Sequence, residues 1–186
     1  MKFLQPEMLA RSRSANDAVA EAAADQWDTA LVAYRARFKA IRNRLPVAVR
    51  RLCVRVALHD ALLLGAARAE HRPFFALLVR LEGTAGEPGE VLELVYHPVA
   101  GPHGGLEIRT HPCLDDNPPG QSVRVLYDEF DVHEAHAFFT HALLLSDGRE
   151  IDIRFHSMTW RRLGTVFAPA ELPQGAVRWP LVESVA

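Results

Sequence analysis

Phe139-Thr140-His141-Ala142-Leu143-Leu144-Leu145-Ser146-Asp147-Gly148-Arg149-Glu150-Ile151-Asp152-Ile153-Arg154-Phe155 is the stretch from which the fold can be read. Asp147-Gly148 is a dipeptide that accepts the positive φ angles of a two-residue type I′ turn, and it stands between two runs with strand-like alternation. A β-hairpin is expected. Counting outward from a two-residue turn sets Ser146 opposite Arg149, Leu144 opposite Ile151, Ala142 opposite Ile153 and Thr140 opposite Phe155 on the core face. The other face then pairs Leu145 with Glu150, Leu143 with Asp152, His141 with Arg154 and Phe139 with His156, a charged, mixed face that is either solvated or half covered by the helices.

Upstream of the hairpin the same period of two recurs. Phe75, Leu77, Val79 and Leu81 alternate with Phe74, Ala76, Leu78 and Arg80, and both sets are mostly apolar, as in a central strand. Leu92, Leu94 and Tyr96, then Leu106, Ile108 and Thr110, then Val123, Val125 and Tyr127 mark three more strands. Loops fall at Glu82 to Glu90 and at Pro112 to Gly120, where Gly, Pro, Asp and Asn gather. Earlier still the period changes: Trp27, Leu31, Tyr34, Phe38, Ile41 and Leu45 are spaced four, three, four, three and four, which lines them along one helical stripe. Ser14 or Asn16 suits the cap of that helix, Asp17 and Glu21 suit its positive end, and it should run to about Asn43. Pro46 cannot continue it but fits the first turn of a shorter helix reaching about Val54. Beyond Trp160-Arg161-Arg162 the periodicity lapses, and Pro169, Pro173, Gly175 and Pro180 point to an irregular tail pinned by Trp179. The reading is one α+β domain over residues 1–186: a helical segment at 1–56, a meandering antiparallel sheet at 57–160 and a tail at 161–186.

Composition fits a chain that folds, with 49% hydrophobic and 24% charged residues in 186. Met1-Lys2-Phe3-Leu4-Gln5-Pro6-Glu7 lacks the apolar stretch of a signal peptide, and no apolar run approaches the roughly 20 residues that cross a bilayer. A cytoplasmic protein with no membrane partner is therefore expected. Cys53 and Cys113 lie far apart in no CxxC or Cys/His arrangement, which points to two reduced thiols and neither a disulfide framework nor a zinc site. The formal charge of −2 conceals an asymmetry: Thr29 to His59 holds no acid but holds Arg35, Arg37, Lys39, Arg42, Arg44, Arg50, Arg51 and Arg55. A basic head sits on an acidic body.

Several residues invite chemistry. His133, His136 and His141 lie close in sequence, yet their spacing is neither HExxH nor a helical i, i+4 pair. His59-Asp60 has the composition of an oriented general base, although neighbours on a strand would point to opposite faces. A metal-assisted hydrolase would need the fold to gather His59, Asp60, His133, His136 and His141. The acidic run Asp128-Glu129-Phe130-Asp131, extended by Glu134, lacks calcium-loop spacing and more simply faces the basic head. Arg35, Lys39 and Arg42 share one helix face and form a basic patch, but the overall negative charge and the absence of any nucleic-acid motif disfavour a nucleic-acid partner. There is no nucleophile elbow, and Gly101-Pro102-His103-Gly104-Gly105 is not a phosphate loop, so no cofactor is implied.

Leu58-His59-Asp60-Ala61, Tyr127-Asp128-Glu129-Phe130, Phe139-Thr140-His141 and Leu145 to Phe155 together resemble a group of uncharacterised bacterial proteins, comprising domain-of-unknown-function families and small immunity-type proteins. In that group an LHD motif opens the sheet and a YDE, FxH and DGxExxIxF series closes it. The resemblance implies a non-enzymatic α+β domain that binds another protein, and it transfers no active site. The surface expected to meet that partner is the mixed face of His141, Asp152, Arg154 and His156, or the acidic run of Asp128, Glu129 and Asp131.

Overall fold

The structure, a computed structural model, describes residues 1–68, 74–83, 89–99, 105–111, 114, 122–133 and 138–164. Cys113, Glu134, His136, the glycine stretch 101–104, most of the two expected loops, and the tail beyond Gly164 with Trp179 lie outside these residues.

Three helices lead the chain. Helix α1 (Pro6–Ser12) opens on a proline whose fixed φ suits a first turn, and it has no counterpart in the sequence reading. Helix α2 (Asp17–Ile41) is capped by Asn16, whose side chain accepts the Val19 N–H at 3.3 Å. It tightens into a 3₁₀ turn at Arg42–Arg44, and Pro46 then introduces helix α3 (Val47–Arg55). The expected stripe is the packed face: Trp27, Ile41 and Leu45 are buried, and Leu31, Tyr34 and Phe38 are half-buried.

Seven antiparallel strands follow: β1 (Leu62–Arg68), β2 (Phe75–Arg80), β3 (Val91–Pro98), β4 (Leu106–Thr110), β5 (Val125–His133), β6 (Phe138–Leu145) and β7 (Arg149–Gly164). Their order is β1-β2-β3-β7-β6-β5, with β4 also on β7. β7 is 16 residues long and organises the sheet. Its first half pairs with β6 and with β4, and its second half pairs with β3. The backbone of Arg154 marks the handover: it accepts the Val99 N–H at 3.0 Å and donates to the Gly105 carbonyl at 2.8 Å. β3 and β4 are thus two segments laid along one neighbour, and the chain between them leaves and returns at a single residue. Only glycine fits the return, because a Cβ on Gly105 would stand 2.0 Å from Pro98 Cβ.

The sheet curls until its ends meet. Leu62 bridges Arg124, and the amides of Asp60, Leu63 and Val125 each close a 2.8 Å bond between the start of β1 and the start of β5. Further along β5, α2 covers the edge: Trp27 packs on Tyr127 with ring centres 4.5 Å apart, and the Tyr34 hydroxyl accepts the Phe130 N–H at 2.8 Å. A strand edge is thereby kept from pairing with other chains. The curl encloses Leu77, Val79, Leu92, Leu94, Tyr96, Leu143, Ile151, Ile153 and Phe155, and Ile41, Leu45, Val49 and Leu52 close the core from the helical side. Each fully buried leucine or isoleucine there contributes about 1.5–3 kcal/mol. Trp160 ties the two layers, donating from Nε1 to the Ala48 carbonyl at 2.9 Å.

The Asp147-Gly148 hairpin is present with a different turn. Gly148 has φ 77°, but Asp147 is not in the left-handed region that a type I′ turn requires of both residues. Ser146, Asp147 and Gly148 instead form a three-residue loop closed by Gly148 N–H to the Leu145 carbonyl at 3.1 Å, and the Asp147 carboxylate accepts the Arg149 N–H at 3.2 Å. The extra loop residue moves the register by one. Leu143 faces Ile151, Ala142 faces Asp152, His141 faces Ile153, Thr140 faces Arg154 and Phe139 faces Phe155. β7 keeps its expected orientation, whereas β6 is inverted and turns Phe139, His141, Leu143 and Leu145 inward. Alternation could not choose between these states, because Ala142, Leu143, Leu144 and Leu145 are all buried: residues 1–4 lie across the second face.

Candidate functional site

The inverted register carries His141 into the interior, where it is fully buried and stacked on Phe130 from the adjacent strand, ring centres 3.8 Å apart and 15° from parallel. Tyr96 reaches it from β3, its hydroxyl 2.7 Å from His141 Nδ1, and His141 Nε2 lies 3.2 Å from Asp128 Oδ2. Burial, and then the Asp128 charge, push the Tyr96 phenol well above its ordinary pKa, so it stays protonated. A phenol that donates to Nδ1 of a neutral imidazole leaves the ring hydrogen on Nε2 to donate to the carboxylate. One tautomer satisfies all three groups.

Asp128 ends this chain at the wall of a cavity of about 250 Å³. Tyr34 and Phe38 line it from α2, Leu52 and Cys53 from α3, Val56 to His59 from the connection to β1, and Phe130 from β5. The Asp128 side chain is 26% exposed. His141 holds one of its oxygens, and among the described residues the other has no hydrogen-bond donor and the carboxylate has no Lys or Arg in ion-pair range. Burial first and Asp128 second push the Cys53 thiol up to about 12, and the same two causes raise the Tyr34 phenol. Both groups are protonated at neutral pH. The cavity therefore presents no activated nucleophile.

His59 and Asp60 do come together, contrary to the expectation from strand geometry. They occupy a turn before β1, with Asp60 at φ 63°, and this backbone brings His59 Nε2 to 3.3 Å from Asp60 Oδ2. His59 also bonds the Leu126 carbonyl through Nδ1 and borders the cavity. His133 sits at the far end of β5, stacked with Phe138 at 4.7 Å. No group of three or more His, Cys, Asp and Glu among the described residues is placed to hold a metal ion, and His59, Asp60, His133 and His141 do not assemble into one.

The acidic run is a strand, so its members part. Asp128 points inward, whereas Glu129 and Asp131 point outward toward the leading segment. Glu129 is buried and accepts the backbone N–H groups of Lys2 at 2.9 Å, Phe3 at 3.0 Å and Leu4. Asp131 takes Arg37 Nε at 2.8 Å and Lys2 Nζ at 3.2 Å, the contact between acidic body and basic head anticipated from the charge pattern. Glu150, also buried, binds the Met1 ammonium, Arg109 and His111. Asp152 pairs with Arg109 at 3.3 Å and Arg154 with Glu107 at 3.2 Å. The expected open face of His141, Asp152, Arg154 and His156 is thus not one surface: His141 lies inside, Asp152 and Arg154 are paired to β4, and His156 alone is exposed.

The basic patch is open. Arg35 and Lys39 on α2, Arg42 in the 3₁₀ turn that follows it, and Arg51 and Arg55 on α3 are exposed and form no ion pair among the described residues. They are interleaved with Val32, Val47 and Val54, which are 64%, 52% and 67% exposed. Sequence reasoning missed Tyr96, Tyr34 and the pairing of Asp128 with His141; Tyr96 was visible as an inward residue of its strand, but its partner lies two strands away across the curl.

No known family, curated protein or solved structure matches the chain. No helix among the described residues is long and apolar enough to cross a membrane.

Proposed function

We propose that the protein works by binding an acidic protein partner, in the manner of an immunity or accessory protein, and that the exposed stripes of α2 and α3 are the contact. The observation that carries this reading is the mixture on those stripes. Val32, Arg35 and Lys39 on α2 and Arg42 in the turn after it follow one another at helical spacing, and Val47, Arg51, Val54 and Arg55 share one face of α3. Large exposed valines are costly in water and gain nothing from phosphate, whereas apolar side chains beside arginine are typical of protein interfaces. Internal pairing of Glu129, Asp131, Asp152 and Arg154 supports placing the contact here instead of on the sheet.

Capture from a host lysate, identification, and reconstitution with the purified partner test the proposal. A stoichiometric complex is expected, weakened about tenfold or more by the double change R35E/K39E and severalfold by V54S. A nucleic acid recovered in place of a protein, with affinity that falls steeply as salt rises and ignores V54S, would replace the proposal with phosphate-driven binding.

A further inference from the structure

We infer that the cavity between α2, α3 and β5 is a binding site for a small organic ammonium ion. Its walls are aromatic and aliphatic, with Tyr34, Phe38 and Phe130 around a single carboxylate, Asp128. That carboxylate is three-quarters withdrawn from water, has one oxygen fixed by the buried His141 and Tyr96 pair, and has no Lys or Arg partner among the described residues. An unpaired acid in such a setting is destabilised by lost hydration and regains it from a cation. A metal ion is a poor fit, since hard cations take several oxygen ligands and a softer one takes more than a single carboxylate beside a protonated thiol. An alkylammonium or quaternary ammonium head fits each wall: its charge meets Asp128, its carbons meet Leu52, Val56 and Leu58, and π faces attract it. The volume of about 250 Å³ limits the ligand to a head group with a few carbons.

Burial first and the Asp128 charge second raise the pKa of the Cys53 and Tyr34 side chains that line the cavity, in keeping with a site for a positive charge.

Choline and its uncharged tert-butyl isostere, titrated into the full chain by calorimetry and by amide NMR, separate charge from shape. Saturable choline binding that perturbs the amides of Cys53, Asp128 and Phe130 is expected, with the isostere about tenfold weaker or more. D128N should lower choline affinity by about the same factor and leave the isostere unchanged. Should D128N fold poorly, F38L retains the carboxylate and removes one π face, so it should weaken choline severalfold and spare the isostere. Equal binding of the two compounds, or no binding of either at millimolar concentration, overturns the assignment, as does wild-type choline affinity in well-folded D128N.

Discussion

On β5, Asp128 and Glu129 are neighbours that face opposite sides of the sheet, and their surroundings differ in kind. Glu129 is buried with its oxygens filled by three backbone N–H groups of the leading segment, beside Asp131 and Glu150, which are paired as well. Asp128 has one filled oxygen, one open oxygen and a cavity in front of it. A carboxylate whose acceptors are saturated by the main chain holds architecture together, because removing it orphans donors that cannot reach water. A carboxylate left partly unsatisfied at a cavity costs stability and stays available to a visitor. The same residue class therefore serves the fold on one side of the strand and a site on the other.

The contrast is most exposed to failure at Glu129. Glu129→Ala should cost about 3 kcal/mol of folding stability in chemical denaturation, since three amides lose their acceptor at once. A loss near zero would mean that the outer acid is not structural. Tyr96→Phe removes the donor to His141 Nδ1 and should cost about 1–2 kcal/mol. The smallest effect concerns Asp131. Burial alone would raise its pKa, but the Val132 N–H, Arg37 and Lys2 outweigh burial and hold it below its ordinary value. A carboxyl with a depressed folded pKa adds stability that is present above the unfolded pKa and is lost as pH falls through the folded one. The difference in stability between the wild type and Asp131→Asn should therefore be below about 1 kcal/mol at neutral pH, begin to fade as pH drops below about 4, and vanish below the depressed folded pKa. A gap that persists in acid would assign the effect to packing.

Much of this arrangement was legible in the residues, and the failures have definite causes. The α2 stripe was readable because, Val19 and Val32 apart, the large apolar side chains of that helix fall on one side. β7 was readable for a similar reason: Ile151, Ile153 and Phe155 alternate with Glu150, Asp152 and Arg154. β6 was not readable, since Ala142, Leu143, Leu144 and Leu145 are buried on both faces, and Asp147-Gly148 is compatible with loops of two or three residues. That single ambiguity placed His141 outdoors and hid its bond to Asp128. His59 and Asp60 were separated by assuming a strand where the chain turns through a positive φ. Tyr34 and Tyr96 join their partners across distant elements, and local pattern has no access to such contacts.

The long strand β7 also dictates an order of events when the chain is made. β1 to β3 and β5 to β6 can pair as they leave the ribosome, but β4 and the facing edges of β3 and β6 have no neighbour until residues 149–164 are synthesised. Until then the nascent polypeptide carries open strand edges, the condition under which unfinished chains stick to one another. Translation that stalls before Arg149 should release a product that aggregates, whereas a chain extended through Gly164 gives each of the described strands its neighbours.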